Sequence, residues 1–385
     1  MTVNYKFKTV PYDHQKTSLD AVGDRLSFGF FMEMGTGKSK VLIDNLGQLF
    51  TKGEVNFALI IAPKGVYRNW IAKEIPQHMS DDVPHRVIRW VSVGNKKQQA
   101  EVQSVKEPFS GLTIFVMNVE AFSTTKGQAA GKWLAKHLGQ HGMIAIDEST
   151  TIKNSKAKRT KALIKIAEGF KYKRLLTGSP ITKSPMDIYA QAEFLGPGLL
   201  GYDSFYAFQG RYAVLQRRTM GAHAFQQVLG YKNLDELTEK IDQFSYRVLK
   251  KDCLDLPDKT YTVRHVTLTT EQAKMYDDIQ RQALLMLDNG ELVTAPAVIT
   301  QLLRIQQIMS GHLMSRRMDA LLEILEEHDG KAIIWSRFRH DIKEITATLN
   351  RTLGSGSAAS YFGDTKGDER QAIVTNFQDP NHPLK

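Results

Sequence analysis

The chain has 385 residues, 42% of them apolar, with 51 Lys and Arg against 41 Asp and Glu and a formal net charge of +10. That much apolar sequence can build packed cores in two or three domains of ordinary size, and the cationic excess favours an anionic partner, with DNA a natural fit. The lone cysteine, Cys253, excludes an intrachain disulfide, the histidines lack zinc-ligand spacing, and no run approaches the ~18 apolar residues that a membrane helix needs.

In chain order, the first signal is a short apolar run, Phe28 to Phe31, followed by Met32-Glu33-Met34-Gly35-Thr36-Gly37-Lys38-Ser39 and a helical run from Val41 to Phe50. A strand, a glycine-rich loop ending in Gly-Lys-Ser and a helix make a phosphate cradle. Gly35 and Gly37 let the backbone turn its N–H groups inward, Lys38 reaches the β- and γ-phosphates, and the Ser39 hydroxyl is placed to ligate magnesium. The full pattern has Gly at its first position, where this chain has Met32.

Further apolar strands are expected at Phe57–Ile61, Thr113–Met117, Met143–Ile146 and Lys173–Leu176, alternating with helices such as Lys156–Phe170. This alternation predicts a parallel sheet with helices on both faces. The Met143 strand delivers Asp147 and Glu148 at its tip, one carboxylate suited to hold magnesium and the other to orient and deprotonate an attacking water. The Lys173 strand ends in Thr177-Gly178-Ser179-Pro180, a polar turn suited to sensing the γ-phosphate. Nucleotide sites in such sheets lie beyond the carboxyl ends of the strands, where Gly35, Asp147 and Thr177 all fall.

From Met186 to Phe244 the pattern becomes mainly helical, broken at Gly196-Pro197-Gly198, with a hairpin around a basic tip from Ala213 to Gly230. Leu254 to Lys259 reads as a connector stiffened by Pro257. Thr270 to Ile308 is helical, with a core stripe at Leu284, Leu285 and Leu287, and Lys331–Trp335 opens a second α/β lobe. Trp70, Trp90, Trp133 and Trp335 read as packing residues rather than base-stacking platforms. Lysines beside Cys253 would lower a thiol pKa, although an incidental thiol is the simpler reading.

Taken together, these blocks resemble the helicase-like ATPases of superfamily two, and within them the Swi/Snf-type DNA translocases. Met32 to Ser39 looks like the family's nucleotide loop, and Tyr12-Asp13-His14-Gln15 like its adenine-contacting element, with Gln15 as reader. Leu59 to Lys64 with Asn69-Trp70 is similar to motif Ia, and Phe115 to Asn118 sits where motif Ib would. Asp147-Glu148-Ser149-Thr150, with Ile152-Lys153-Asn154 and Lys158-Arg159-Thr160, looks like motif II, though Thr150 stands where the family has a histidine that links to motif III. Leu176 to Ile181 looks like motif III, Arg247 to Lys259 like the basic segment leading to the second lobe, and Lys331 to Phe338 like motif IV.

The resemblance implies two RecA-like lobes of α/β class, the second incomplete. The expected layout is a first lobe over 1–190, a helical protrusion over 191–250, a connector over 251–262 and the start of the second lobe over 263–385. The arginines of motifs V and VI would then follow Lys385. It also implies an ATP-driven motor on duplex DNA with little sequence preference. In that reading Lys38, Asp147 and Glu148 are catalytic, Gln15 and Met34 to Ser39 bind ATP, and Ser39 and Asp147 hold magnesium. Thr150, Thr177, Gly178 and Ser179 couple the site, and Pro63, Lys64, Asn118 and Arg337 meet DNA. The compact length looks more like prokaryotic, viral or fork-remodelling members. A monomer without a membrane partner is expected, cytoplasmic in a prokaryote or a virus-infected cell and nuclear in a eukaryote. An RNA helicase of the same superfamily and a DNA-binding scaffold without turnover are the alternatives.

Overall fold

Short, mostly apolar runs suit strands covered on both faces of a parallel sheet, and that is how the first part of the chain folds. The computed structural model describes residues 5–220, 223–288, 295–310 and 315–385. Seven strands form one parallel sheet: β1 (Ser27–Met32), β2 (Phe57–Ala62), β3 (His85–Arg89), β4 (Leu112–Asn118), β5 (Gly142–Asp147), β6 (Tyr172–Leu176) and β9 (Ser245–Val248). Their order is β3-β4-β2-β5-β6-β1-β9. Between β6 and β9 the chain makes an antiparallel ribbon, β7 (Ala213–Met220) with β8 (His223–Tyr231).

Strand alternation splits the core in two. Leu59, Ile61, Ile144 and Ile146 face one apolar cluster with Phe122, Leu163 and Ile188, while Ala58, Ile60, Met143 and Ala145 face the other with Val41, Leu46 and Trp70. The helix expected after the glycine-rich loop runs Lys38–Thr51 on the second face, and the one expected over Lys156–Phe170 runs Lys158–Ala167 on the first.

One side chain in this core is a cation. Arg174 on β6 is fully buried, and its guanidinium donates to Asn45 Oδ1 at 3.0 Å and to the carbonyls of Leu26, Lys173 and Arg25 at 2.9, 2.9 and 3.0 Å. It therefore ties β6 to the Lys38–Thr51 helix and to the turn that enters β1. Burial pushes its pKa down to about 9, so it remains charged at neutral pH.

The chain divides into two units, Met1–Pro257 and Asp258–Lys385, a boundary inside the 251–262 connector. The stretch 191–250 is not helical throughout: it holds helices Phe205–Tyr212 and Leu234–Asp242, the β7–β8 ribbon, and β9, which belongs to the sheet beside β1. The second unit contains helices Thr270–Asp288, Ala295–Ser310, Ser315–Glu326, Arg339–Thr352 and Gly367–Gln378. Lys331–Trp335, expected to open its sheet, is not paired with another strand among the described residues, and a strand of this composition forms only against a partner's ladder. Trp335, expected to pack, is 91% exposed there, whereas Trp70 and Trp90 are buried. The side chains of Leu284, Leu285 and Leu287 lie outside the described residues.

Arg174→Ala removes the shared donor from four acceptors and leaves a cavity, so we expect the first unit to lose about 3 kcal/mol or more of stability, read from its urea midpoint. A loss below about 1 kcal/mol would show that these acceptors are satisfied without the arginine.

Candidate nucleotide-binding site

β5, β6 and β1 are neighbours in the sheet, so their carboxyl ends deliver three polar segments side by side. β1 ends in the glycine-rich loop. Gly35 and Gly37 adopt φ of 84° and 86°, a region that side chains resist, and Gly37 caps the Lys38–Thr51 helix. A Cβ on Gly37 would lie 2.2 Å from Gln15 Nε2, so any other residue there would be strained by the positive φ and would also displace the Gln15 amide.

Gln15, expected to read an adenine, is buried against this loop. Its amide donates to Thr36 O at 3.1 Å and accepts from the Tyr12 backbone N–H at 3.0 Å, while His14 Nε2 donates to the same Thr36 carbonyl at 2.8 Å. Gln15 thus braces the loop, and each end of its amide keeps one further hydrogen-bonding capacity. Thr36 is buried, Met34 is exposed, and Ser39 lies half-buried in the first helical turn. The Lys38 ammonium sits 3.4 Å from Glu148 Oε1.

β5 carries Asp147 into an interior position. Its Oδ2 accepts from the Trp70 indole N–H at 2.9 Å and its Oδ1 from the Glu148 backbone N–H at 3.0 Å. Trp70 opens a π-type turn, Trp70–Glu74, a widened helical geometry that often marks functional positions. Burial is the main reason that the Asp147 carboxyl is pushed up to about 6, with Glu148 adding to the rise and Trp70 and Lys38 opposing it. Stability held by the protonated form is present below the ordinary carboxylate range and is lost as pH rises through about 6, unless a cation compensates the charge. Glu148 itself is left-handed, φ 52° and ψ 61°, a strained geometry for a residue with a side chain. Asp147 and the Ser39 hydroxyl are hard oxygen donors of the kind that hold magnesium, and each Asp147 oxygen accepts one hydrogen bond among the described residues.

β6 ends in Thr177, whose backbone N–H donates to Phe30 O at 3.2 Å and whose hydroxyl accepts from the Ser179 N–H at 3.2 Å. A Cβ on Gly178 would meet Met34 N and Glu33 Cα at 3.3 and 3.4 Å, so this segment runs directly against the glycine-rich loop. Thr150, expected to couple the carboxylate pair to it, has no side-chain hydrogen bond among the described residues. The connection is made one residue earlier. Ser149 Oγ donates to Gln191 Oε1 at 2.6 Å, and Gln191 Nε2 donates to Pro180 O at 2.7 Å and to Asp187 O at 2.8 Å. Ser149 and Gln191 are both fully buried. A second brace runs from Lys153 to Thr182 and Asp187, and the Asp187 carboxylate accepts the backbone N–H groups of Thr182 and Lys183.

Pro63, Lys64 and Asn118 lie together at the ends of β2 and β4, where Ala62 and Asn118 are in register. Glu120 joins them, accepting from Lys64 N at 3.2 Å and from Asn118 Nδ2 at 3.1 Å. Arg337 lies in the second unit, exposed and hydrogen-bonded to Gln306. Sequence reading missed Ser149, Gln191 and Glu120 as site residues. It also missed Lys250, whose backbone N–H donates to Glu33 Oε2 at 2.7 Å and whose side chain lies beside Gly35. Cys253 keeps the simpler reading of an incidental thiol: burial raises its pKa, the neighbouring lysines do not lower it, and Sγ donates to Leu249 O.

Residues 27–315 match the family model described as SNF2-related domain. The chain is 28% identical over 242 residues to the SWI/SNF-related matrix-associated actin-dependent regulator of chromatin subfamily A-like protein 1 of Drosophila melanogaster, covering 62% of this chain and 30% of that protein. It is 25% identical over 281 residues to an uncharacterized ATP-dependent helicase of Mycoplasma genitalium, covering 72% of this chain and 24% of that protein. It thus spans less than a third of the length of either relative. A solved structure, the Sulfolobus solfataricus SWI2/SNF2 ATPase core in complex with dsDNA, aligns over 98% of this chain and 78% of its own at a TM-score of 0.50 and 23% identity, a likeness of fold.

The Trp70–Asp147 contact gives a direct readout of the buried carboxyl. In the nucleotide-free protein, the Trp70 indole N–H resonance, assigned by its loss in Trp70→Phe, should titrate with a midpoint near 6. A midpoint in the ordinary carboxylate range would show that Asp147 is not desolvated.

For Ser149 and Gln191, each single variant (Ser149→Ala, Gln191→Leu) strands a buried polar partner and should cost about 1–3 kcal/mol, whereas the double variant should recover part of that loss. Strict additivity in urea unfolding would contradict an energetic link between them.

Proposed function

We propose that this chain, which belongs to the SNF2-related domain family, is an ATP-driven motor that acts on duplex DNA. The observation that carries the reading is the convergence, at three adjacent strand ends, of a left-handed glycine loop, a buried carboxylate with a strained neighbour, and a polar turn packed against that loop.

The roles follow from the geometry. Backbone N–H groups from Gly35 to Ser39 receive the phosphates at the start of a helix, where the partial positive charge of the peptide dipoles adds to that of Lys38. Without nucleotide, Lys38 and Glu148 neutralise each other. Arriving phosphates compete for the ammonium and release Glu148, which is then free to take the proton of the attacking water. Magnesium, when held by Ser39 and Asp147, supplies charge neutralisation at the phosphate oxygens. Asp147 must be ionised for that, and its burial makes ionisation costly until the cation is present. Thr177 to Ser179 touch the loop on one side and connect to Ser149 through Gln191 on the other, so a change at the phosphates is felt at the carboxylate pair and in the segment from Pro180 to Asp187.

DNA contact is assigned to Pro63, Lys64 and Asn118 at the ends of β2 and β4, with Arg337 contributing from the second unit. These are backbone contacts, which position a protein without reading sequence. Glu120 limits the local positive charge and orients Asn118 and the Lys64 backbone. A monomer is sufficient for this arrangement, working wherever the cell keeps its DNA.

The test combines nucleotide binding and turnover in the full-length protein. Glu148→Gln should bind ATP as the unmodified protein does yet lose turnover by ~10²–10⁴-fold, because an amide accepts no proton. Lys38→Ala should lose ATP binding itself. Turnover should rise with duplex DNA more than with RNA. Undiminished turnover in Glu148→Gln would remove that residue as the base, and stimulation by RNA alone would replace the DNA motor with an RNA helicase.

A further inference from the structure

The β7–β8 ribbon takes no part in the nucleotide site, and its two ends are built on different principles. Its root is locked. Tyr212 is buried, donates its hydroxyl to Glu236 Oε1 at 2.8 Å and packs on Phe208 at 4.9 Å between centroids. Arg211 pairs with the same Glu236, and Asn233 Nδ2 donates to Arg211 O at 2.9 Å, closing the far side of the root. These contacts hold Glu236 ionised, down at about 2.

The arms are unsupported. Gln216 to Thr219 on β7 and Ala224 to Leu229 on β8 are exposed along both faces, with Phe225 49% and Leu229 55% accessible. A two-stranded ribbon standing alone in water is marginal, so exposure of apolar residues on such arms points to a partner. The charge says what kind. From Ala213 to Leu234 there is no Asp or Glu, while Arg217, Arg218 and Lys232 are present. Neither Arg217 nor Arg218 has a carboxylate partner among the described residues; Arg218 Nε donates only to Gln216 Oε1, at 3.2 Å.

Register places the two arginines on opposite faces. Arg217 is opposite Gln226 and Arg218 opposite Phe225, and successive strand residues alternate sides. A flat acidic surface would engage one face and leave the other arginine in solvent. A slot with anionic walls on both sides engages both. The major groove of duplex DNA is such a slot, about 12 Å wide and able to admit a two-stranded ribbon, whereas the minor groove, at about 6 Å, is too narrow.

We propose that the β7–β8 ribbon is a second duplex-DNA contact, entering the major groove with Arg217 and Arg218 against the phosphates of its two walls. This rests on the duplex-DNA reading of the protein and adds to it a grip on the first unit separate from Pro63, Lys64 and Asn118. The rigid root means that the ribbon moves with the first unit's helices Phe205–Tyr212 and Leu234–Asp242 rather than as a loose loop.

The experiment is a salt series of fluorescence-anisotropy titrations of the full-length protein with a random-sequence duplex and with the corresponding single strand. Arg217→Ala/Arg218→Ala should weaken duplex binding and make the plot of log affinity against log salt shallower by about 2, two phosphate contacts at about −0.9 each. Arg217→Lys/Arg218→Lys, which keeps both charges, should retain most of the slope, and ATP affinity should be unchanged in both variants. Duplex binding by the unmodified protein together with an unchanged slope in the alanine variant would overturn the ribbon's role while leaving the motor reading intact. An equal loss on single-stranded DNA would overturn the groove assignment. Failure of the unmodified protein to bind duplex at all would remove the functional reading first.

Discussion

An aspartate carried into the interior at the end of β5 is the constraint around which the candidate nucleotide site is arranged. Asp147 is 7% exposed, each of its oxygens accepts one hydrogen bond, and burial resists its ionisation. A buried carboxylate with so few partners is expensive to keep charged, and a divalent cation is the natural compensation. Directly after it, Glu148 adopts a left-handed conformation, with its carboxylate paired to the Lys38 ammonium. Trp70 then has a reason to be where it is: its indole supplies both core packing and the hydrogen bond that fixes Asp147.

The sheet converts this local arrangement into a site. Parallel order places β6 between β5 and β1, so the carboxylate pair, the Thr177 turn and the glycine-rich loop are neighbours without any long loop having to reach across. Two apolar layers clamp the strands from both faces, and Arg174 ties three elements together from inside one of them. The hydrogen-bonded path between Ser149 and Pro180 is short for the same reason. Ser149 and Pro180 follow adjacent strands, and one buried glutamine, Gln191, spans the gap with donors and an acceptor all in use.

What could be read from sequence was what leaves a local trace. β1, β2, β4 and β5 announce themselves as mainly apolar runs, β6 by the apolar Leu175-Leu176 ahead of a polar turn, and Gly35, Gly37 and Lys38 stand at the spacing of a phosphate cradle. β3 and β9 were not legible because His85–Arg89 and Ser245–Val248 are edge strands mixing polar with apolar residues. Ser149–Gln191 was invisible because a contact across 42 positions has no signature in either neighbourhood. At Cys253 the sequence neighbours Lys250 and Lys251 do not set the environment either: burial raises the thiol pKa and Sγ donates to the Leu249 carbonyl. Lys331–Trp335 has strand composition, yet a strand is made by its partner as much as by its own residues.

The claim on which the account turns is that Asp147 and the glycine-rich loop form one cation-dependent nucleotide site. The most direct measurement is a calorimetric titration of ATP at pH 7.5, once with magnesium and once with a chelator. The account predicts saturable binding at one site that tightens at least about tenfold when magnesium is present, since a tenfold change is only about 1.4 kcal/mol of compensation for a buried charge. Equal affinity in the two titrations, or no saturable binding in either, would contradict it.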